Sequence, residues 1–192
     1  RPDGAAVSIE IMLLVAPGKE AVYPEWLWPS YQQDGGPAVN PDMESFTREM
    51  AARGIAVIDP TALLWSHKAD GDLYLRHDTH WTPEGLALVA DEVARHVPAE
   101  LHGDAQMVLE QSPQSAPGDL LEMLQLPACS TPLRRQTVVA RRVVDAASGA
   151  PVEFDKASPV VLLGDSFTNI YSLPEMGWGE HAGLGEQLAY RL

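Results

Sequence analysis

LYLRHDTHWTPEGLALVA, residues 73–90, sets two histidines and an aspartate directly before a helix start. Thr82 followed by Pro83 supplies a capping side chain and a first-turn residue whose φ is already fixed. Leu86, Val89, Ala90, Val93, Ala94 and Val97 then recur at i, i+3, i+4, i+7, i+8 and i+11. That spacing predicts an amphipathic helix with one apolar face. Acid–base side chains are thus crowded against the start of a rigid element, and the question is what they face.

Outward from this stretch the pattern alternates. Residues 7–17 (VSIEIMLLVAP) and 54–60 (GIAVIDP) read as strands, the second short and apolar as buried parallel strands are. Between them Asn40-Pro41 predicts a helix start, with Met43, Phe46 and Met50 at helical spacing. Residues 98–118 are expected to be irregular. GDLLEML (118–124) reads as a short helix, TVVARRVV (137–144) as a strand, and AASGAPVEFDKASP as a hairpin or loop. SPVVLLGDSF (158–167) reads as another buried strand ending in Gly-Asp-Ser, and HAGLGEQLAYRL as a helix with Leu184, Leu188 and Leu192 on one face. Strand–helix alternation of this kind predicts an α/β fold with a mostly parallel sheet, in which functional groups gather at the carboxyl ends of strands. The 192 residues suffice for one domain spanning 1–192.

The formal net charge of −14 argues against nucleic acid and against anionic membrane surfaces as partners. It leaves room for a polyanionic substrate if one groove is locally basic. The single cysteine, Cys129, excludes an internal disulfide and a cysteine-based metal site. The longest apolar run, IMLLVA, is too short to span a bilayer. Because the chain opens on Arg1, a targeting segment is expected to have been removed.

Ser166 sits just past the predicted strand Val160–Leu163, after Gly164, where a nucleophilic serine needs exposure and free backbone N–H groups beside it. Gly-Asp-Ser after a strand also reads as a plain turn or helix cap. Asp78 and His80 stand at i and i+2, so in an extended segment both point one way, the carboxylate fixing the tautomer of the ring. That pair alone also reads as a surface histidine beside a loop aspartate. Together the two motifs complete each other, since a serine hydroxyl needs a histidine to take its proton. His77, Asp78 and His80, with His67 upstream, offer a zinc or iron alternative, but Asp78 and His80 already claim the shared face, and neither a metal nor another cofactor is expected.

The blocks LYLRHDTHWTPEGLALVADEVA and VVLLGDSFTNIYS, with LLVAPGKEAVYPEWL and GDLLEMLQLP, resemble the SGNH-hydrolase-like domain of the alginate O-acetyltransferase family, the AlgJ/AlgX type. The DTHWTPEG block is the most specific of these. The resemblance implies a three-layer α/β fold, with a sheet smaller than the family's or truncated because the chain ends soon after Ser166. It implies Ser166 as nucleophile, His80 as general acid–base and Asp78 as its orienting partner, in the order Asp, His, Ser. It also implies acetyl transfer to hydroxyls of an exported, alginate-like polysaccharide in the periplasm, with a membrane-bound acyltransferase partner as acetyl donor. An acetylesterase with the same triad and a catalytically silent polysaccharide-binding or scaffold domain are the alternatives.

Trp81, Tyr171 and Arg76 are the candidates to contact the sugar, with Asn169 as a second oxyanion donor and Trp178 as a further aromatic. Trp26 and Trp28 lie in a Pro-rich loop and could instead cover the sheet edge. Arg134, Arg135, Arg141 and Arg142 form the one basic cluster, readable either as a solvated strand face or as a contact for a polyuronate.

Overall fold

The computed structural model describes residues 9–31, 35–125 and 135–192. Cys129, Arg134 and the start of the first predicted strand lie outside them. Two short strands, β1 (Met12–Leu14) and β2 (Ala56–Ile58), pair in parallel with Leu14 opposite Ile58. Between them run α1 (Lys19–Val22) and α2 (Met43–Ala52). α2 starts later than Asn40-Pro41 predicts, because the Asn40 side chain accepts from the Asp42 N–H and closes a turn ahead of the helix.

α3 (Thr61–His67) follows β2, and α4 (Pro83–His96) is the helix read from the 3.6-residue period. Thr82 Oγ1 accepts from the Gly85 N–H and donates to the Asp72 carbonyl, so one hydroxyl caps α4 and anchors the preceding loop. Leu86, Val89, Ala90 and Val93 are all buried. Each fully buried Leu or Val contributes about 1.5–3 kcal/mol, which is what holds the helix against the core.

Residues 98–118 are not irregular throughout. β3 (Met107–Ala116) and β4 (Gln136–Asp145) form a ten-residue antiparallel hairpin, with α5 (Asp119–Met123) at the end of β3. Gln, Ser and Pro give β3 little strand propensity of its own; valine-rich β4 supplies its register, and Pro113 is tolerated because β3 is an edge. Asp145 closes the following turn by accepting from Ala147 N–H and Ser148 N–H.

The predicted strand at 160–163 is a correction. These residues form no ladder with any described residue, and Val161 and Leu163 are 77% and 88% exposed. An apolar run signals burial but does not supply a neighbouring strand, and without a ladder there is no strand. α6 (Ser166–Asn169) and α7 (Leu184–Arg191) complete the chain. Among the described residues parallel pairing is found in β1–β2, beside an antiparallel hairpin, within an α/β arrangement. Leu184 and Leu188 of α7 are buried, and Arg191 ties the helix to α4 through Asp91 and the Ala87 carbonyl. No helix among the described residues is long and apolar enough to cross a membrane.

Candidate functional site

The Asp-x-His block is a tight loop rather than an extended segment. Leu75 N–H donates to the His80 carbonyl at 3.0 Å and Thr82 N–H to the Leu73 carbonyl at 2.9 Å, so Tyr74 and Trp81 face each other across its neck. Inside it Asp78 Oδ1 accepts from the His80 N–H at 3.0 Å and from His80 Nδ1 at 2.6 Å. The two side chains meet because an Asx-type turn folds them together, and not because i and i+2 share a strand face.

Asp78 and His80 are only 2% and 4% exposed. The second carboxylate oxygen, Oδ2, accepts from the Asp119 N–H at 3.0 Å and from Trp178 Nε1 at 2.9 Å. Burial alone would raise the Asp78 carboxyl; hydrogen bonds from the His80 ring, Trp178 and the two backbone N–H groups outweigh it and hold the pKa down to about 2. The carboxylate is therefore ionised and accepts from His80 Nδ1, which leaves Nε2 as the ring nitrogen facing away from Asp78. Nε2 is buried and makes no hydrogen bond among the described residues.

Phe167 packs against the rings of His80 and Trp81, its centroid 4.7 Å from that of His80 and 4.9 Å from that of Trp81. Ser166 is the residue before Phe167. It is exposed, at the first position of α6, and Asp165 caps that turn by accepting from the Phe167 N–H at 2.9 Å. The fold thus brings the Gly-Asp-Ser turn and the Asp-x-His loop together across Phe167, without a hydrogen bond between Ser166 and His80 Nε2.

The sugar-contact candidates separate. Trp81 and Tyr171 lie near the pair but are fully buried, and the Tyr171 hydroxyl donates to the Trp81 carbonyl at 2.9 Å. Both belong to the hydrophobic core and offer no platform to solvent. Burial pushes the Tyr171 phenol well above its ordinary range, which keeps it a neutral donor. Arg76 is exposed and pairs with Asp72 at 3.0 Å. Asn169 spends its amide on the Asp165 carbonyl at 3.0 Å. Trp178 is buried and serves Asp78, while Trp26 and Trp28 are exposed.

Two residues that sequence reasoning passed over complete the site. Lys19, at the start of α1, donates its ammonium to the carbonyls of Leu75 and Asp78, with Arg76 at 3.4 Å, and so gathers the loop around one cation. Desolvation lowers its pKa, against the opposing pull of Asp78 and Asp119. Asp119 accepts from the Thr79 N–H at 2.8 Å and from Thr79 Oγ1 at 2.6 Å, clamping the loop tip. The signal for both was positional: each lies in a block that carries the family resemblance. Asp78, His80 and Asp119 offer ligand atoms within 4.8 Å of one another. Both Asp78 oxygens already accept two N–H groups each, so the cluster is a hydrogen-bond network with its acceptors spent on protein. His67 stands apart on α3, paired with Asp70 at 3.0 Å.

Residues 5–182 match the family described as the SGNH hydrolase-like domain of acetyltransferase AlgX. The chain belongs to this family. Among the relatives it is similar to are probable alginate O-acetylases AlgJ: one from Pseudomonas syringae pv. tomato, 31% identical over 171 residues, and one from Pseudomonas putida, 30% identical over 174. These matches cover 83% of this chain but only 42% and 43% of the relatives, so the chain spans less than half of their length. The O-acetyltransferase domain of Pseudomonas putida AlgJ superposes with a TM-score of 0.63 at 26% identity, over 95% of this chain and 60% of that one. Pseudomonas aeruginosa AlgX shares the fold at a TM-score of 0.51 and 19% identity, over 73% of this chain and 35% of its own.

Proposed function

We propose that this AlgX-family chain is an O-acetyltransferase that places acetyl groups on hydroxyls of an exported, alginate-like polysaccharide, through Ser166, His80 and Asp78. The observation that carries the reading is His80: its Nδ1 is anchored on an ionised, four-donor carboxylate, and its Nε2 is an unpartnered base beside the Ser166 turn. A buried imidazole with one nitrogen fixed and the other idle is arranged for proton transfer.

In this mechanism Ser166 Oγ reaches Nε2 in the substrate complex; such contacts commonly tighten only when substrate binds. His80 takes the hydroxyl proton as Oγ attacks the acetyl carbonyl of the donor. The developing imidazolium is stabilised by Asp78, and the leaving group departs with the proton. A sugar hydroxyl then gives its proton to His80, attacks the acetyl-serine and leaves acetylated, regenerating Ser166. The Ser166 N–H is one oxyanion donor, and Asn169 becomes the second if its amide leaves the Asp165 carbonyl. The relatives' names support an alginate-like acceptor. The family resemblance supports a periplasmic location and a membrane-bound acyltransferase as acetyl source.

The test is acetyl release from a chromogenic acetyl ester, wild type against Ser166→Ala, with and without unacetylated oligosaccharides. Transfer to the sugar that vanishes in the variant is the expected result. Release to water alone would make the chain an acetylesterase. Equal inertness of both proteins would make it a silent polysaccharide-binding or scaffold domain.

A further inference from the structure

A second feature lies on the far side of the Trp178 loop. A cleft of about 380 Å³ opens between the β3–β4 hairpin and residues 174–180, lined by Ser112, Gln114, Arg142, Gly177, Gly179 and Glu180. Its volume falls within the roughly 300–1,000 Å³ typical of small-ligand sites. The loop that forms one wall also carries Trp178, whose indole holds Asp78.

Arg142 is the unusual member. Its Nε is buried and makes no hydrogen bond among the described residues, and no described carboxylate lies within ion-pairing distance, although Glu110 stands opposite it in the hairpin register. The neighbouring arginines are engaged: Arg141 faces Glu84 at 3.5 Å, Arg135 donates to the Ser115 carbonyl, and Arg191 pairs with Asp91. A desolvated guanidinium edge without an acceptor is costly unless something supplies one, and its fork matches a carboxylate or a phosphate.

The rest of the lining chooses between these. Glu180 puts a negative charge in the same cleft, on a chain whose formal net charge is −14, which disfavours a dianionic phosphate far more than a single carboxylate. Gln114 donates to Ser112 Oγ at 2.8 Å, which orients both and leaves the Gln114 carbonyl and the Ser112 hydroxyl proton for a ligand. Glu180 adds an acceptor for hydroxyl groups. At Gly179, φ is +105° and a Cβ would stand 3.0 Å from Gln114 Cδ, so only glycine keeps this wall back. One guanidinium with several acceptors for hydroxyls describes a hydroxylated monocarboxylate.

We propose that this cleft is a subsite for one uronate residue of the acceptor chain, with Arg142 pairing its carboxylate and Ser112, Gln114 and Glu180 meeting its hydroxyls. The assignment deepens, and rests on, the polysaccharide-acceptor reading above.

The test is calorimetric binding of a hexameric oligouronate and of the same oligomer with its carboxyls reduced to alcohols. Wild type is expected to bind the uronate and to bind the neutral oligomer about tenfold or more weaker. Arg142→Gln is expected to weaken uronate binding by about ten- to a hundredfold, the cost of losing a charged hydrogen-bond donor. Arg142→Lys is expected to fall between, because it keeps the charge and loses the fork. Arg141→Gln removes the same charge one position away on the other strand face and is expected to stay within about twofold. Melting curves report whether each variant is folded, and the comparison of the two oligomers needs no variant.

Equal affinity for both oligomers, equal damage from Arg141→Gln and Arg142→Gln, or no binding by wild type would each overturn the subsite. Binding needs no acetyl transfer, so the two readings fail separately. An inert Ser166 with Arg142-dependent uronate binding removes only the transferase. Arg142-independent binding with an active Ser166 removes only the subsite.

Discussion

Trp178 donates its indole N–H to Asp78 Oδ2 at 2.9 Å, both side chains buried and 100 residues apart in the chain. This bond joins the loop ahead of α7 to the loop ahead of α4 and supplies one of the four donors that keep Asp78 ionised. Trp178→Phe keeps a ring and deletes the donor. The expected loss of stability is about 1–3 kcal/mol, the usual cost of orphaning a buried charged acceptor. Chemical denaturation measures it. Because Asp78 orients His80, turnover is expected to fall with kcat reduced more than KM is raised. A change below about 0.5 kcal/mol, within the range of ordinary surface substitutions, would mean that Asp78 does not depend on Trp178.

The same carboxylate sets an acid limit. Its folded pKa of about 2 lies below the ordinary value of 3.8. A depressed carboxyl contributes stability that is present above the unfolded value and is lost as pH falls through the folded one. The window is therefore pH 4 down to 2, and about 2 kcal/mol is expected to disappear across it. Urea titrations at steps across that window, on wild type and Asp78→Asn, check the assignment. The variant is expected to be less stable at neutral pH and to show a shallower loss in acid.

What could be read from the sequence was whatever is local. The cap Thr82, the proline after it and the apolar stripe of α4 act within a few residues, so the period revealed the helix and its buried face. Asp78 and His80 likewise meet within one turn, although by an Asx-type bend. The bonds from Trp178 and Lys19 reach across the chain and left no spacing to read. β3 was hidden because its residues lack strand propensity and borrow order from β4. The apolar run at 160–163 misled in the opposite direction, since hydrophobicity without a pairing partner leaves no strand. Trp81 and Tyr171 looked like sugar platforms because aromatic side chains near a site are indistinguishable in sequence from aromatic side chains beneath it.

Gly118 provides a backbone test of the site's walls. With φ +89° and ψ 151° it occupies a region that is essentially glycine-only, and a Cβ there would stand 2.3 Å from the His77 carbonyl oxygen and 3.1 Å from Asp78 Cβ. Gly118→Ala combines conformational strain with a clash against the Asp-x-His loop, and a loss of about 3 kcal/mol or more is expected. Gly149 also has a positive φ, +69°, but nothing lies within 4 Å of its missing Cβ. Gly149→Ala is expected to cost only about 1 kcal/mol. Equal melting shifts for the two variants would show that the contact at Gly118 carries no weight.

Lys19 offers the sharpest separation between holding the site and doing chemistry in it. Its ammonium serves the carbonyls of Leu75 and Asp78, which belong to the loop carrying the catalytic candidates, but it donates no hydrogen bond to a candidate side chain. Lys19→Met keeps most of the aliphatic stem and strips the loop of its common donor, at an expected cost of about 1–3 kcal/mol. Lys19→Arg is expected to rescue poorly, because a planar guanidinium cannot converge on several carbonyls as a compact ammonium does. The readout is amide hydrogen exchange. Protection of Leu75 and His80 is expected to fall in Lys19→Met while α4 beyond its first turn stays protected. If exchange stays unchanged at Leu75 and His80, the cation is not what keeps the Asp-x-His loop closed. If the whole of α4 loosens too, Lys19 supports the fold at large and has no particular hold on the site.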